Sequence, residues 1–212
     1  MEGPKTLIVL ATVVLLLVPL SGCLDVQTWK TLIKGPEQVK VGYREVEGPS
    51  QYWSYDITTQ DIFDWIARGG EDPPTDKEWE YGFKVKPGTT RITLSYNLNM
   101  TNPPEEAWAF FLEALNRSGG EDYRPIIEQL KDMDRGLNIT LIDPNGVIVY
   151  SERNNETTDG DIQYFVIDPK PGLWALKIEC RGIGFVAETP AGPVEYHDTF
   201  EVWTLLRVPY YE

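Results

Sequence analysis

The sequence predicts a mainly β protein: an antiparallel, jelly-roll-like β-sandwich carrying an inserted α-helical hairpin. Three observations predict it. Apolar residues recur at every second position in several runs, such as Trp79, Tyr81, Phe83 and Val85, then Ile92, Leu94, Tyr96 and Leu98. That period is the mark of half-buried strands. Turns rich in Pro and Gly separate the runs at short intervals, as sandwiches require. One stretch, residues 103–135, changes to a helical period. With 212 residues, 42% hydrophobic and 25% charged, the chain has ordinary globular composition and enough apolar surface for a core.

Residues 1–22 read as an address. Lys5 supplies a cation, and residues 7–18 are apolar apart from Thr12. As a helix this run would reach about 18 Å, short of the roughly 30 Å hydrocarbon core, so it reads as a signal-peptide core. It closes on Leu20-Ser21-Gly22-Cys23, which resembles the lipobox of prokaryotic lipoproteins. The resemblance implies cleavage before Cys23, lipid attachment at Cys23, and a chain anchored in the cell membrane facing the extracytoplasmic side. Two acyl chains would anchor it stably.

Residues 23–77 read as a membrane-proximal segment with short strands and a short helix. Val39 and Val41 alternate with polar residues, and Gly48-Pro49 breaks the run. Ile62, Phe63, Trp65 and Ile66 suggest a helical turn ending at Gly69-Gly70.

The sandwich domain is expected over residues 78–208. Pro87-Gly88 turns the first two strands into a hairpin. Pro103-Pro104-Glu105-Glu106 then opens a helix, with Pro pre-set for the first turn and acids near the positive dipole end. Ala107, Phe110, Phe111, Ala114 and Leu115 form one stripe, and Tyr123, Ile126, Ile127 and Leu130 a second. This hairpin is either a lid on the sandwich or a partner-binding element. Strands resume at Leu137, Ile139 and Leu141, followed by the turn Asp143-Pro144-Asn145-Gly146. Residues 163–167, Trp174 to Ile178 in alternation, 183–187 and Phe200 to Leu206 in alternation supply further strands. Residues 189–195 read as a loop.

Two pieces carry a family likeness. Strand 137–142 runs into the Asp143-Pro144-Asn145-Gly146 turn, and Pro171-Gly172 leads into the strand bearing Trp174. With residues 83–98 they resemble the jelly-roll modules appended to secreted proteases, of the pre-peptidase C-terminal and P-domain type. The resemblance covers residues 79–208 and departs from the pattern at the helical hairpin. It implies a non-catalytic module that stabilises, localises or binds.

The charge balance, 19 basic against 33 acidic residues for a net −14, excludes nucleic acid as a partner, because a polyanion needs a basic footprint. His197 is the only imidazole. Asp198 beside it would face away on a strand, no G-x-S-x-G elbow is present, and phosphate-cradling glycine loops are absent. No enzyme is expected, although a pair of carboxylates serving a hydrolase stays open. No cofactor is expected, with Asp159 and Asp161 the candidate ligands for calcium. Cys180 reads as a buried, inert thiol. Sequons at Asn99, Asn116, Asn138 and Asn155 are glycosylation candidates. Trp29, Trp53, Trp65 and Trp108 lie outside the regular strands and are the candidate ligand-binding aromatics. The expected function is a non-catalytic cell-surface lipoprotein whose sandwich meets a protein partner in the envelope, through the helical insertion. The alternatives are a carbohydrate-binding module and a carboxylate-based extracellular hydrolase.

Overall fold

A computed structural model describes residues 40–70, 73–120 and 122–211. The leader, Cys23 and Trp29 lie outside the described residues. Gly42–Tyr210 forms one compact unit.

The elements are β1 (Val41–Ser54), α1 (Thr59–Ala67), β2 (Asp76–Val85), β3 (Arg91–Asn99), α2 (Glu105–Gly119), α3 (Arg124–Lys131), β4 (Gly136–Ile142), β5 (Ile148–Asn154), β6 (Ile162–Ile167), β7 (Gly172–Arg181), β8 (Gly184–Thr189), β9 (Gly192–His197) and β10 (Thr199–Tyr211). One sheet has the order β1-β10-β3-β6 and the other β2-β7-β4-β5, with β8-β9 a separate pair. Two four-stranded sheets in this order make a jelly roll. The pairings of β10 with β3, β3 with β6, β2 with β7 and β4 with both β5 and β7 are antiparallel.

Alternation places the core. Ile92, Leu94, Tyr96 and Leu98 of β3, Phe200, Val202 and Leu206 of β10, Leu137, Ile139 and Leu141 of β4, and Trp174, Leu176 and Ile178 of β7 interdigitate between the sheets. The period of two that marked these strands in the sequence therefore points one side chain of each pair inward.

With β8–β9 counted within the link from β7 to β10, every connection except β4–β5 crosses between the two sheets, and successive connections fall at alternate ends of the sandwich. At one end the links β2–β3, β4–β5 and β6–β7 are tight turns. Asp143 Oδ1 accepts from the backbone N–H groups of Asn145 and Val147, each at 2.9 Å. Lys170 Nζ donates to Asp143 Oδ2 at 2.8 Å. Trp174 Nε1 donates to the Lys170 carbonyl at 2.9 Å. A Cβ on Gly172, whose φ is +144°, would come within 2.8 Å of Pro144. The two motifs behind the family likeness thus meet in space and brace each other.

The opposite end carries the extra elements. α1 sits in the β1–β2 link, α2 and α3 in the β3–β4 link, and β8–β9 in the link from β7 to β10. Because all three emerge at one end, they share a second core: Ile57, Ile62, Trp65, Ala107, Trp108, Phe111, Leu115, Tyr123, Ile127, Leu130, Ile183, Phe185 and Ala187. Phe185 is its centre, with ring centroids 4.6 Å from both Trp108 and Phe111. α1 starts in a capping box in which Asp61 N–H donates to Thr58 Oγ1 at 3.2 Å and Thr58 N–H to Asp61 Oδ2 at 2.8 Å. α2 ends at Gly120, whose φ of +71° is left-handed.

A polar clasp closes the seam between the two cores. Asp198 is fully buried. Its carboxylate accepts from Thr101 N–H at 2.7 Å, Arg135 Nη1 at 2.9 Å and Ile183 N–H at 2.9 Å. Tyr55 N–H donates to the Asp198 carbonyl at 3.0 Å, and Ile57 N–H to the Gly184 carbonyl at 2.5 Å.

Three expectations change. The boundary at residues 77/78 does not separate units, because β1 joins the first sheet and α1 the second core. Residues 192–197, part of which read as a loop, pair with β8. The helical hairpin is a lid: its apolar stripes are spent on the second core, so it offers no apolar face to a partner.

Candidate binding face

The described surface holds two candidate sites. The first is an open groove of about 980 Å³ at the elaborated end, against the outer side of the second sheet. α1 contributes Asp61, Asp64 and Arg68, and strand ends contribute Asp76, Glu78, Asp134, Arg153, Glu179 and Arg181. Its charges largely answer one another. Arg181 clasps Asp76 through Nε at 2.7 Å and Nη2 at 2.6 Å, and Arg153 pairs with Asp134. Asn138 Nδ2 donates to Glu179 Oε2 at 3.2 Å. Burial works to raise the Asp76 carboxyl, but the hydrogen bonds from Arg181 and Thr75 outweigh it and hold the group below its ordinary value. Glu78 and Glu179 face one another across β2 and β7 in register. Ligand sites are mostly apolar with a few convergent polar groups; this groove is the reverse, and its outer sheet face continues as a solvated row with Lys177 paired to Glu80 at 3.2 Å.

The second candidate is the outer face of the sheet β1-β10-β3-β6. Strand period two sends Trp203, Leu205 and Arg207 of β10, Arg91, Thr93 and Ser95 of β3, and Phe165 and Ile167 of β6 away from the core. Register sets them in rows: Arg207, Arg91, Ile167; Leu205, Thr93, Phe165; Trp203, Ser95, Gln163. β1 adds Tyr43, with the Arg207 guanidinium 5.2 Å from its ring centroid. Arg91 lies 5.5 Å from the Phe165 ring centroid and donates to Glu45 at 2.8 Å. Ile167 is 64% exposed, Phe165 46% and Tyr43 45%. Thr93 and Ser95, though outward, are buried, because larger side chains flank them on both neighbouring strands. The Ser95 hydroxyl has no hydrogen-bond partner there.

The sequence pattern does not point to this face. Trp203 and Phe165 sit in regular strands, where alternation makes an aromatic residue look like core. Their phase, opposite to Phe200, Val202, Tyr164 and Val166, was the available signal.

The aromatics proposed from sequence fare differently. Trp65 and Trp108 are buried in the second core, so neither is a ligand platform; their irregular spacing reflected helices. Trp53 is half-buried against the first core, with its ring 5.6 Å from that of Trp79. Asp159 and Asp161 are exposed, and Asp161 accepts from Asn97 Nδ2 at 3.2 Å. Among the described residues no group of three or more His, Cys, Asp or Glu converges as a metal site would need. Asn99 and Asn155 are exposed, whereas Asn116 Oδ1 accepts from Tyr123 N–H at 3.0 Å and Asn138 is engaged with Glu179. His197 Nδ1 contacts the Tyr55 carbonyl at 2.6 Å, and its other nitrogen lies 3.4 Å from Glu195. Cys180 is buried and free. Burial pushes its thiol up to about 11, against the hydrogen bond from Tyr55. Among the described residues no helix is long and apolar enough to cross a membrane.

No protein-family model matches the chain, and no curated protein matches it. Similar solved structures include a Bacillus endospore appendage pilus protein, at 10% identity over 81% of this chain and 89% of that one, TM-score 0.30. Another is from infectious bursal disease virus, at 9% identity over 81% of this chain, TM-score 0.33; the match spans 32% of the viral chain. A third is from the accessory secretory proteins 1, 2 and 3 of Streptococcus pneumoniae, at 12% identity over 78% and 85%, TM-score 0.22. At these scores the likeness carries nothing about ligands or partners.

Proposed function

We propose that this chain is a non-catalytic binding module, held outside the cell by lipid at Cys23, that engages a protein partner through the outer face of the β1-β10-β3-β6 sheet. One observation carries the reading. In a chain of net charge −14, this face gathers Trp203, Phe165, Leu205, Ile167 and Tyr43 with two arginines; Glu45 within it is paired to Arg91, and Glu201 lies beyond Trp203 at the end of the patch, opposite Asn97. Trp, Tyr, Phe and Arg are the residues that dominate protein interfaces, while free acids are depleted there. The helical lid, once its apolar stripe is buried, leaves this face as the better docking surface. The likeness to jelly-roll modules of secreted proteases supports a binding role, and the lipobox supports the location.

The test is co-sedimentation of purified residues 24–212, which lack the lipid of Cys23, with native envelopes. Trp203→Ala should weaken binding by about tenfold or more, as for an interface anchor, while Lys177→Ala on the opposite sheet should leave it unchanged. Protease treatment of the envelopes should abolish binding. Binding that survives digestion yet still needs Trp203 would replace the protein partner by a glycan. Indifference to Trp203 would sink the face altogether.

A further inference from the structure

The two sheets present four edge strands, and three of them are protected. An exposed edge invites another strand, and proteins blunt it with charges, proline or irregularity. β1 carries Arg44, Glu45 and Glu47 and is broken by Gly48-Pro49. β2 carries Asp76, Lys77, Glu78, Glu80 and Lys84. β5 carries Glu152 and Arg153. β6, Ile162–Ile167, reads Ile-Gln-Tyr-Phe-Val-Ile, with no charge, no proline and no glycine. Its side chains Phe165 and Ile167 are among the more exposed apolar groups of the unit. Among the described residues its backbone pairs with β3 alone, so alternate N–H and C=O groups face outward along its free edge. Asp161 and Asp168 stand just outside the strand at either end.

We infer that β6 is a docking edge for a second copy of this chain, pairing antiparallel with β6 of that copy across a two-fold axis near Phe165. Period two makes the strand self-complementary in this register. Phe165 meets Phe165, Tyr164 of one copy meets Val166 of the other, and Gln163 meets Ile167. Inward residues stay inward and outward residues outward. Asp161 and Asp168 fall opposite Pro169 and Ile162, so no acid faces an acid. Charge decides where two copies can meet. Two copies each carrying −14 repel through most of their surfaces, and an uncharged edge lets them approach at the least cost. Pairing joins the two β1-β10-β3-β6 sheets into one continuous sheet of eight strands, with an isologous interface. The inference shares Phe165 and Ile167 with the face proposed above but does not rest on it, since it is the unpaired backbone edge of β6 that carries it.

The experiment uses the full chain extracted in mild detergent, followed by sedimentation velocity across the micromolar range. A dimer is expected, tighter at 500 mM than at 50 mM salt because salt screens the repulsion. Q163K/I167K sets lysine against lysine twice across the axis and should weaken the dimer by about tenfold or more. Q163K/I167E restores opposite charges at the same positions and should recover it. In native membranes, mild oxidation should link F165C to itself, and should leave K84C on the other sheet unlinked. A chain that stays monomeric in high salt, or a dimer indifferent to the charge pairs, overturns the inference. F165C captured by a chain of different mass overturns it in favour of a foreign strand.

Discussion

The two ends of the sandwich are closed by opposite means. At one end, three short turns suffice, and most of their stabilising contacts join residues near in sequence, Asp143 with Asn145 and Val147 and Lys170 with Trp174, while the ion pair of Lys170 with Asp143, 27 residues apart, ties two of the turns together. At the other end, segments up to about 140 residues apart are brought together around Phe185 and Asp198, from Tyr55 and Ile57 to His197. Local contacts need little chain entropy to form, whereas the elaborated end gathers three separate connections before its core is complete. The difference also bears on function. An elaborated end with helices looks like the interaction end, yet its apolar side chains are consumed in closing the sandwich. On the reading proposed above, a partner would meet the flank: the outer face and free edge of one sheet.

Phe185→Ala is the most damaging way to break this comparison. The ring is 2% exposed and touches Trp108, Phe111 and Tyr196. Removing it should cost about 3–5 kcal/mol and lower Tm by about 10 °C. Thermal denaturation followed by circular dichroism would show it. A loss below about 1 kcal/mol would mean that the second core is an appendage with little share in the stability of the unit.

Arg135→Ala attacks the seam. It leaves the Asp198 carboxylate buried with only the Thr101 and Ile183 donors, an uncompensated charge worth about 3 kcal/mol. The double variant Arg135→Met/Asp198→Asn should recover part of that loss in chemical denaturation, because it removes the charge together with its partner. If the double variant is as unstable as the sum of the two single ones, the clasp is not an ion pair in the energetic sense.

Much of the turn end was legible. Asp143-Pro144-Asn145-Gly146 and Pro171-Gly172 announce their turns, and alternation fixes which residues of β2, β3, β4, β7 and β10 point inward. The helical stripe of residues 107–130 was equally plain. What alternation does not encode is where a stripe goes. Nothing local tells that Phe111 meets Phe185 rather than another protein, or that Asp198, one residue from the only histidine, is tied to Arg135. The face was hidden for a related reason. On β10, Trp203 lies between Val202 and Thr204, both buried, and only the strand phase shows that the indole turns outward. β1 was read as a separate segment because Gly48-Pro49 interrupts its pattern. In the folded unit the strand continues across that break, where Thr204 Oγ1 donates to the Pro49 carbonyl at 3.0 Å.

Asp143→Asn tests the turn end and should have the smallest effect of the three. The hydrogen bond from Lys170, and then those from the Val147 and Asn145 backbones, hold the Asp143 carboxyl below its ordinary value. A carboxyl depressed by folding stabilises the native state at pH values above its unfolded pKa of about 3.9, and that stabilisation fades as pH falls through the lower, folded value. Denaturant midpoints of the native chain and of Asp143→Asn should therefore differ most near neutrality, draw together from about pH 5 downward and meet in strong acid. The asparagine still accepts from the two backbone N–H groups, so the variant loses the Lys170 pairing and keeps the turn. Lys170 is well exposed, and the difference should shrink further in 0.5 M salt. The buried clasp at Asp198 should ignore the same salt. A neutral-pH gap that salt leaves intact would show that the turn end, too, is held by a contact shielded from water, and the contrast between the two ends would lose its electrostatic half.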